Sequence, residues 1–189
     1  AYDAQARLTA ATAGVTRTVG HDAFSFNSFI TDTQDAYEII LGQARVKTSV
    51  SHTVTTGADG SHSSTHAVVT NTHDLVAKIT GASGVSHTEG VDAFEFNAFL
   101  TDTADVYEII KGQARVKESV SDTATTGADG SHSATHAVVS NTHDLVAKIT
   151  AASGVSHTEG VDAFEFNSFL TDTADVYEII KGQARVKES

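Results

Sequence analysis

The sequence predicts an all-α tandem-repeat protein of 70-residue units, each with two helices and a Phe-rich connector. The first observation is internal similarity: the segment GVSHTEGVDAFEFN begins at Gly84 and again at Gly154, and a related segment begins at Gly14. The second is that two long segments of each copy carry apolar residues at helical spacing. In arrays of this kind each unit packs on its neighbours. We predict a partial N-terminal repeat at 1–14, full repeats at 15–84 and 85–154, and a truncated third repeat at 155–189.

The first predicted helix spans residues 103–124. On a helical wheel most of its apolar residues occupy one half and most of its charged residues occupy the other. The same segment also alternates between polar and apolar residues, as a half-buried strand does, and Gly112 lowers helix stability by ~1 kcal/mol. In a strand, Glu118 and Asp122 would share a face with valines, whereas a helix places them with the other charges. The helix is therefore favoured, and an all-β repeat array is the alternative.

The second predicted helix spans residues 134–153. Its apolar residues share a helical face, and Asp144 and Lys148 have the i,i+4 spacing of a helical ion pair. Gly154 matches the glycine that follows the last turn of many helices. The intervening segment TTGADGSHS, at 125–133, has the composition of a turn.

The third element is the aromatic segment at 161–170, which reads VDAFEFNSFL. Phe164 and Phe166 would point to opposite sides of a helix and to the same side of a strand, so this connector is predicted to be irregular or a short strand. Its phenylalanines are predicted to form the core of each unit. The predicted core residues are Phe24, Phe26, Phe29, Phe94, Phe96, Phe99, Phe164, Phe166 and Phe169.

Composition narrows the possible functions. The 189 residues include 24 acidic and 12 basic side chains, which gives a formal net charge of −12 at pH 7. This charge would be repelled by nucleic acids and by anionic lipid surfaces, so we expect no nucleic-acid partner and no insertion into membranes. The absence of cysteine excludes disulfides, thiolate metal sites and cysteine nucleophiles.

Histidines provide the candidate metal ligands. His62 and His66, and again His132 and His136, have the i,i+4 spacing that lets two imidazoles on a helix bind one Zn²⁺ ion. Two ligands do not complete a site, so exposed surface residues are the favoured interpretation. Carboxylates recur in the segment TDTADVYE and at Asp129, but neither has the ligand spacing of a known Ca²⁺ loop. Zn²⁺ and Ca²⁺ are therefore only possible cofactors.

No catalytic motif is present: the sequence lacks G-x-S-x-G, HExxH, a P-loop and G-x-G-x-x-G. Near-identical copies place every chemical group at a fixed repeat, which suits a multivalent surface better than a single reactive centre. The sequence predicts a structural, non-catalytic protein of an extracellular fibre, filament or surface layer, secreted or at the cell surface. Its predicted partner is itself, as a homo-oligomer or polymer. The alternative is a metal-binding or adhesive module.

Overall fold

The computed structural model describes residues 1–22, 25–180 and 183–189, which form one antiparallel sheet of eleven strands. Each strand pairs with the strands before and after it along the chain, so the spatial order is the sequence order. The strands are β1 (Gly14–His21), β2 (Asn27–Ile40), β3 (Gln43–Gly57), β4 (His62–His73), β5 (Ile79–Val91), β6 (Asn97–Ile110), β7 (Gln113–Gly127), β8 (His132–His143), β9 (Ile149–Val161), β10 (Ser168–Ile180) and β11 (Gln183–Glu188).

The predicted all-α fold is wrong, and the alternative all-β array matches the structure. Strands β6 and β7 and the turn between them occupy the first predicted helix at 103–124, and β8 and β9 occupy most of the second at 134–153. Glu118 and Asp122 would disfavour a strand only if the face they share with valines were covered by a second layer. The carboxylate of Asp122 instead remains 69% exposed beside the valines, so it stays hydrated. In the described residues no helix is long and apolar enough to cross a membrane.

Two-residue turns close the β2–β3 and β6–β7 hairpins. Leu41 and Gly42 have φ angles of 50° and 77°, and Lys111 and Gly112 have 50° and 76°. Positive φ at both central residues is the type I′ geometry that matches the twist of paired strands. The glycine that disfavours a helix interior is therefore the residue that permits the hairpin.

Five-residue loops join β4 to β5 and β8 to β9. In the second of these loops, Oδ1 of Asp144 accepts the backbone N–H groups of Val146 (2.8 Å) and Lys148 (3.0 Å). Ala147 adopts a φ of 64° and is buried. The i,i+4 spacing of Asp144 and Lys148 predicts a helical ion pair. In the structure it instead reflects a loop that the carboxylate of Asp144 closes through backbone hydrogen bonds.

One face of the sheet carries a row of ten threonines, one from each of β1 to β10. Eight of their hydroxyls are hydrogen-bonded in four cross-strand pairs at 2.9 Å, for example between Thr101 and Thr123 and between Thr135 and Thr158. Such cross-strand pairs stabilise the strand register. The threonine row consists of Thr18, Thr31, Thr53, Thr65, Thr88, Thr101, Thr123, Thr135, Thr158 and Thr171.

The sheet forms a single layer, so its apolar side chains pack across neighbouring strands. Among the described apolar side chains only Ala77 and Ala147 are buried, with 5% and 8% of their surface exposed. Aromatic rings lie over glycines of the adjacent strand: a Cβ added to Gly90 would lie 2.6 Å from the ring of Phe99. Tyrosines lie over Gly14, Gly84 and Gly154 in the same way. Each ring covers the glycine backbone, which would otherwise be exposed to solvent.

Candidate functional site

The face opposite the threonine row carries ten ionisable residues in register, which we call the His–Asp row. Side chains alternate between faces along a strand, so a residue next in sequence to a member of the threonine row lies on the opposite face. There it lies beside the equivalent residue of the neighbouring strand. The row runs in an unbroken line across β1 to β10. It consists of Arg17, Asp32, His52, His66, His87, Asp102, Asp122, His136, His157 and Asp172.

Three histidines in the row are paired with aspartates of neighbouring strands. Nδ1 of His87 donates to Oδ1 of Asp102 at 2.6 Å. The same 2.6 Å contact joins His136 to Asp122 and His157 to Asp172. The hydrogen bond to Asp172 is the main reason that the pKa of His157 is raised; desolvation opposes it, and the negative charges of Asp172 and Glu159 add to the increase.

Shallow depressions follow the His–Asp row in successive repeats. One has a volume of about 340 Å³ and is lined by His66, His87, Asp102 and Asp122 together with Val85 and Val120. A second, of about 360 Å³, is lined by His136, His157 and Asp172 with Val155 and Ala174. Both are open to solvent. Their side chains can exchange protons and form hydrogen bonds with a polar partner.

The structure separates the histidines that the helical spacing would have brought together. His62 and His66 both lie on β4, four residues apart, which is about 13 Å along an extended strand. Instead, His66 faces His87 across the strands, and His136 faces His157. In residues 1–22, 25–180 and 183–189, no group of three or more His, Asp or Glu side chains is placed to hold a metal ion.

Sequence reasoning did not identify the partners of these histidines. No sequence motif pairs His87 or His157 with an aspartate, and the helical interpretation uses Asp122 only to disfavour a strand. The sequence does contain a pattern that could identify them, because each of these residues is adjacent to a member of the threonine row. That signal has meaning only once strands are assigned.

The predicted core phenylalanines fall into two groups, apart from Phe24, which lies outside the described residues. Phe29 and Phe99 are half-buried where their rings cross glycines of the neighbouring strand, and Phe169 makes the same crossing at 49% exposure. The others project from loops, because no second layer covers that end of the sheet. These exposed residues are Phe26, Phe94, Phe96, Phe164 and Phe166.

The exposed phenylalanines define one end of the sheet, which we call the Phe end. It comprises Asp22, Ser25 and Phe26 in the described part of the connection before β2, and the loops at 58–61, 92–96, 128–131 and 162–167, because every second connection of an antiparallel sheet lies at the same end. The rings of Phe94 and Phe96 have centroids 6.2 Å apart, and those of Phe164 and Phe166 are 6.0 Å apart. The backbone N–H of Ala128 donates to the carbonyl of Phe96 at 2.6 Å, which joins neighbouring loops.

The Phe end is negatively charged. Its loop sequences contain seven carboxylates and neither Lys nor Arg. Hydrogen bonds from Asn97 hold the pKa of Asp92 below its usual value, and those from Ser131 do the same for Asp129. These hydrogen bonds favour the ionised form, so both aspartates carry a negative charge at neutral pH.

The opposite end, which we call the Lys end, comprises the turns at 41–42 and 111–112 and the loops at 74–78 and 144–148. Lys78, Lys111 and Lys148 are exposed there, and further basic residues lie nearby in β3 and β7. The carboxylates of Asp74 and Asp144 accept hydrogen bonds from backbone amides of their own loops. Large apolar side chains also project from this end, namely Leu41, Leu75, Val76, Leu145 and Val146.

Comparison with known proteins adds no homologue. Neither a protein-family model, nor a curated protein, nor a solved structure matches this chain.

Proposed function

We propose that this chain is a non-catalytic, self-associating structural repeat protein that acts in an extracellular fibre, filament or surface layer. The observation that carries the proposal is the repetition of a four-strand unit in register, because β2–β5 recur as β6–β9. Neighbouring strands are ~4.8 Å apart, so equivalent side chains recur every ~19 Å along the sheet. Two copies with the same spacing can form the same contact several times.

Repetition allows individually weak contacts to produce stable association between two copies. Once one loop of a copy binds, the next loop is held close to its own partner, so the combined affinity exceeds that of either contact alone. The exposed apolar residues at both ends of the sheet supply surface that association can remove from water. The net charge of −12 disfavours nucleic acids and anionic membranes as partners.

The His–Asp row supports a recurring surface better than a catalytic centre. Its depressions are open to solvent and occur in successive repeats with equivalent residues. Catalysis benefits from an enclosed site in which water is excluded and charges act in a low dielectric. No such enclosure surrounds the His–Asp pairs, whose side chains are about half exposed or more.

Sedimentation velocity over a concentration series tests the proposal. From about 1 µM to about 1 mM, we expect the protein to form progressively larger species that electron microscopy shows as ordered assemblies. A chain that lacks residues 85–154 is the matched comparison, because it removes one complete unit and should assemble less readily. A monomer throughout the series, with an intact β-type circular dichroism spectrum, would contradict the proposal.

An adhesive module for a foreign surface is the second candidate, and the exposed phenylalanine pairs at the Phe end favour it. Replacement of Phe94, Phe96, Phe164 and Phe166 by serine would then abolish retention on octyl-coated beads. Serine replacements of Leu75 and Leu145 at the Lys end are the matched controls. Equal retention of all three proteins would count against this candidate.

A further inference from the structure

We propose that copies of this chain join through opposite ends of the sheet, so that the Lys end of one copy docks onto the Phe end of the next. This inference rests on the self-association proposed above and names the two surfaces that carry it. The partner is a second copy because the two ends of a single molecule are complementary in charge, in apolar character and in spacing.

Charge complementarity is the first argument. The loop sequences of the Phe end hold seven carboxylates and no basic residue. Glu95 and Glu165 are exposed and lie beside the aromatic pairs. At the Lys end the exposed Lys78 and Lys148 balance the charge of Asp74 and Asp144, and the exposed Lys111 adds a further positive charge. When two copies dock, the negative Phe end of one copy therefore meets the neutral to positive Lys end of the other.

Apolar side chains lie beside these charges at both ends. Leu75 and Leu145 are 88% and 83% exposed at the Lys end, while Phe94 and Phe166 are 79% and 83% exposed at the Phe end. Docking would bury these residues against one another. The phenylalanine rings can also bind lysine ammonium groups through their faces, so the same residues accommodate both kinds of contact.

Matched spacing is the third argument. The loops at 92–96 and 162–167 follow each other after four strands, and so do the loops at 74–78 and 144–148. Both ends therefore repeat at ~19 Å, and successive loops of one copy can meet successive loops of the next. A contact between two different surfaces forms a ring only when the rotation between copies adds up to a full turn. Without such a rotation it produces an open filament, here with the strands along the filament axis.

The alternative is pairing through the exposed edge strands, in which β1 or β11 hydrogen-bonds to a strand of another copy. Open edges are a general route to association, but they use backbone groups rather than loop side chains. Assembly through edges is therefore insensitive to charge at the two ends. This difference allows an experiment to separate the two arrangements.

The test compares two variants that remove the same amount of negative charge. Glu95→Gln with Glu165→Gln changes the Phe end, whereas Asp105→Asn with Asp175→Asn changes mid-strand positions of β6 and β10. General repulsion between chains of net charge −12 predicts that both variants assemble more readily. End-to-end docking predicts the opposite for the first variant: its half-assembly concentration should rise at least about threefold, while the control stays unchanged or falls.

A charge exchange completes the test. Lys78→Glu with Lys148→Glu should weaken assembly, and adding Glu95→Lys and Glu165→Lys in the same chain should restore part of it while the net charge returns to −12. If the unmodified protein assembles but the Glu95/Glu165 variant behaves like its control, docking through the ends is wrong and self-association still stands. If the unmodified protein does not assemble, both proposals fail.

Discussion

At the scale of single residues, the phenylalanines show how position on a one-layer sheet decides the contribution of a side chain. Phe99 lies across Gly90 of the neighbouring strand, where the missing Cβ leaves room for the ring. Phe96 lies in a loop of the same unit and is 61% exposed. The two residues are three positions apart in sequence but differ in the contacts they make.

We expect Phe99→Ala to lower the free energy of unfolding by about 1–2 kcal/mol, because a half-buried ring contributes only part of the 3–5 kcal/mol of a buried one. Phe96→Ala should change it by less than about 0.5 kcal/mol. Urea denaturation followed by circular dichroism measures both. Equal losses would show that the loop ring packs as firmly as the strand ring.

His157 should make stability depend on pH. Its raised pKa means that the folded state binds the proton more tightly than the unfolded state, whose value is near 6.5. The stabilisation is therefore complete below that value and is lost as the pH rises through the folded pKa. The facing groups are Asp172 on β10, His136 on β8 and Glu159 on the same strand.

We expect His157→Gln to lower the melting temperature at pH 5.5 and to have a much smaller effect at pH 8. Calorimetric scans at the two pH values provide the measurement, and His62→Gln, at a histidine without a carboxylate opposite it, serves as the control. A difference of the same size at both pH values would contradict the role of the proton.

At the scale of elements, each two-residue hairpin turn holds one non-glycine residue at a positive φ angle. Lys111 adopts a φ of 50°, which a lysine accommodates poorly, while Gly112 tolerates its φ of 76°. Asparagine is the residue that type I′ turns prefer at the first of these positions. The copy of this turn in the first unit carries Leu41, which has the same disfavoured geometry.

Lys111→Asn should raise the free energy of unfolding by about 0.5–1 kcal/mol, and Gly112→Ala should lower it by about 1 kcal/mol. Lys117→Asn is the control, because Lys117 lies in β7 at the irregularity in its pairing with β6, and asparagine is disfavoured in strands. Chemical denaturation measures all three. Stabilisation by the control substitution would point to charge rather than turn geometry.

At the scale of the whole molecule, stability accumulates along the array because each strand is held by its two neighbours. Removing one complete unit should preserve every row. A chain without residues 85–154 joins Gly84 to Val155 and restores the sequence found at each boundary. We expect it to fold with a lower melting temperature and a cooperative transition.

A deletion shorter by one residue is the matched comparison. Removing 85–153 leaves one extra glycine in the strand, which would move the side chains that follow it to the opposite face. We expect this chain to melt at a lower temperature than the 70-residue deletion, or without cooperativity. Equal melting temperatures in calorimetry would mean that a bulge absorbs the extra residue and that the rows do not fix the register.

The sequence by itself determined the repeat, its period of 70 residues and the excess of negative charge. These properties depend only on the order and composition of residues. It left the choice between helix and strand open, because the segment at 103–124 satisfies both periodicities. Gly112 was the useful discriminator: in a helix it is a defect, whereas between two strands it is the turn.

Only the tertiary structure decided which residues lie side by side. The partners His87 and Asp102 are 15 residues apart, and the threonines of neighbouring strands are up to 23 apart. Local propensity carries no information about such register, which depends on how all the strands align at once. The exposure of the phenylalanines was decided in the same way, because a ring is buried only if another layer covers it and this sheet has one layer.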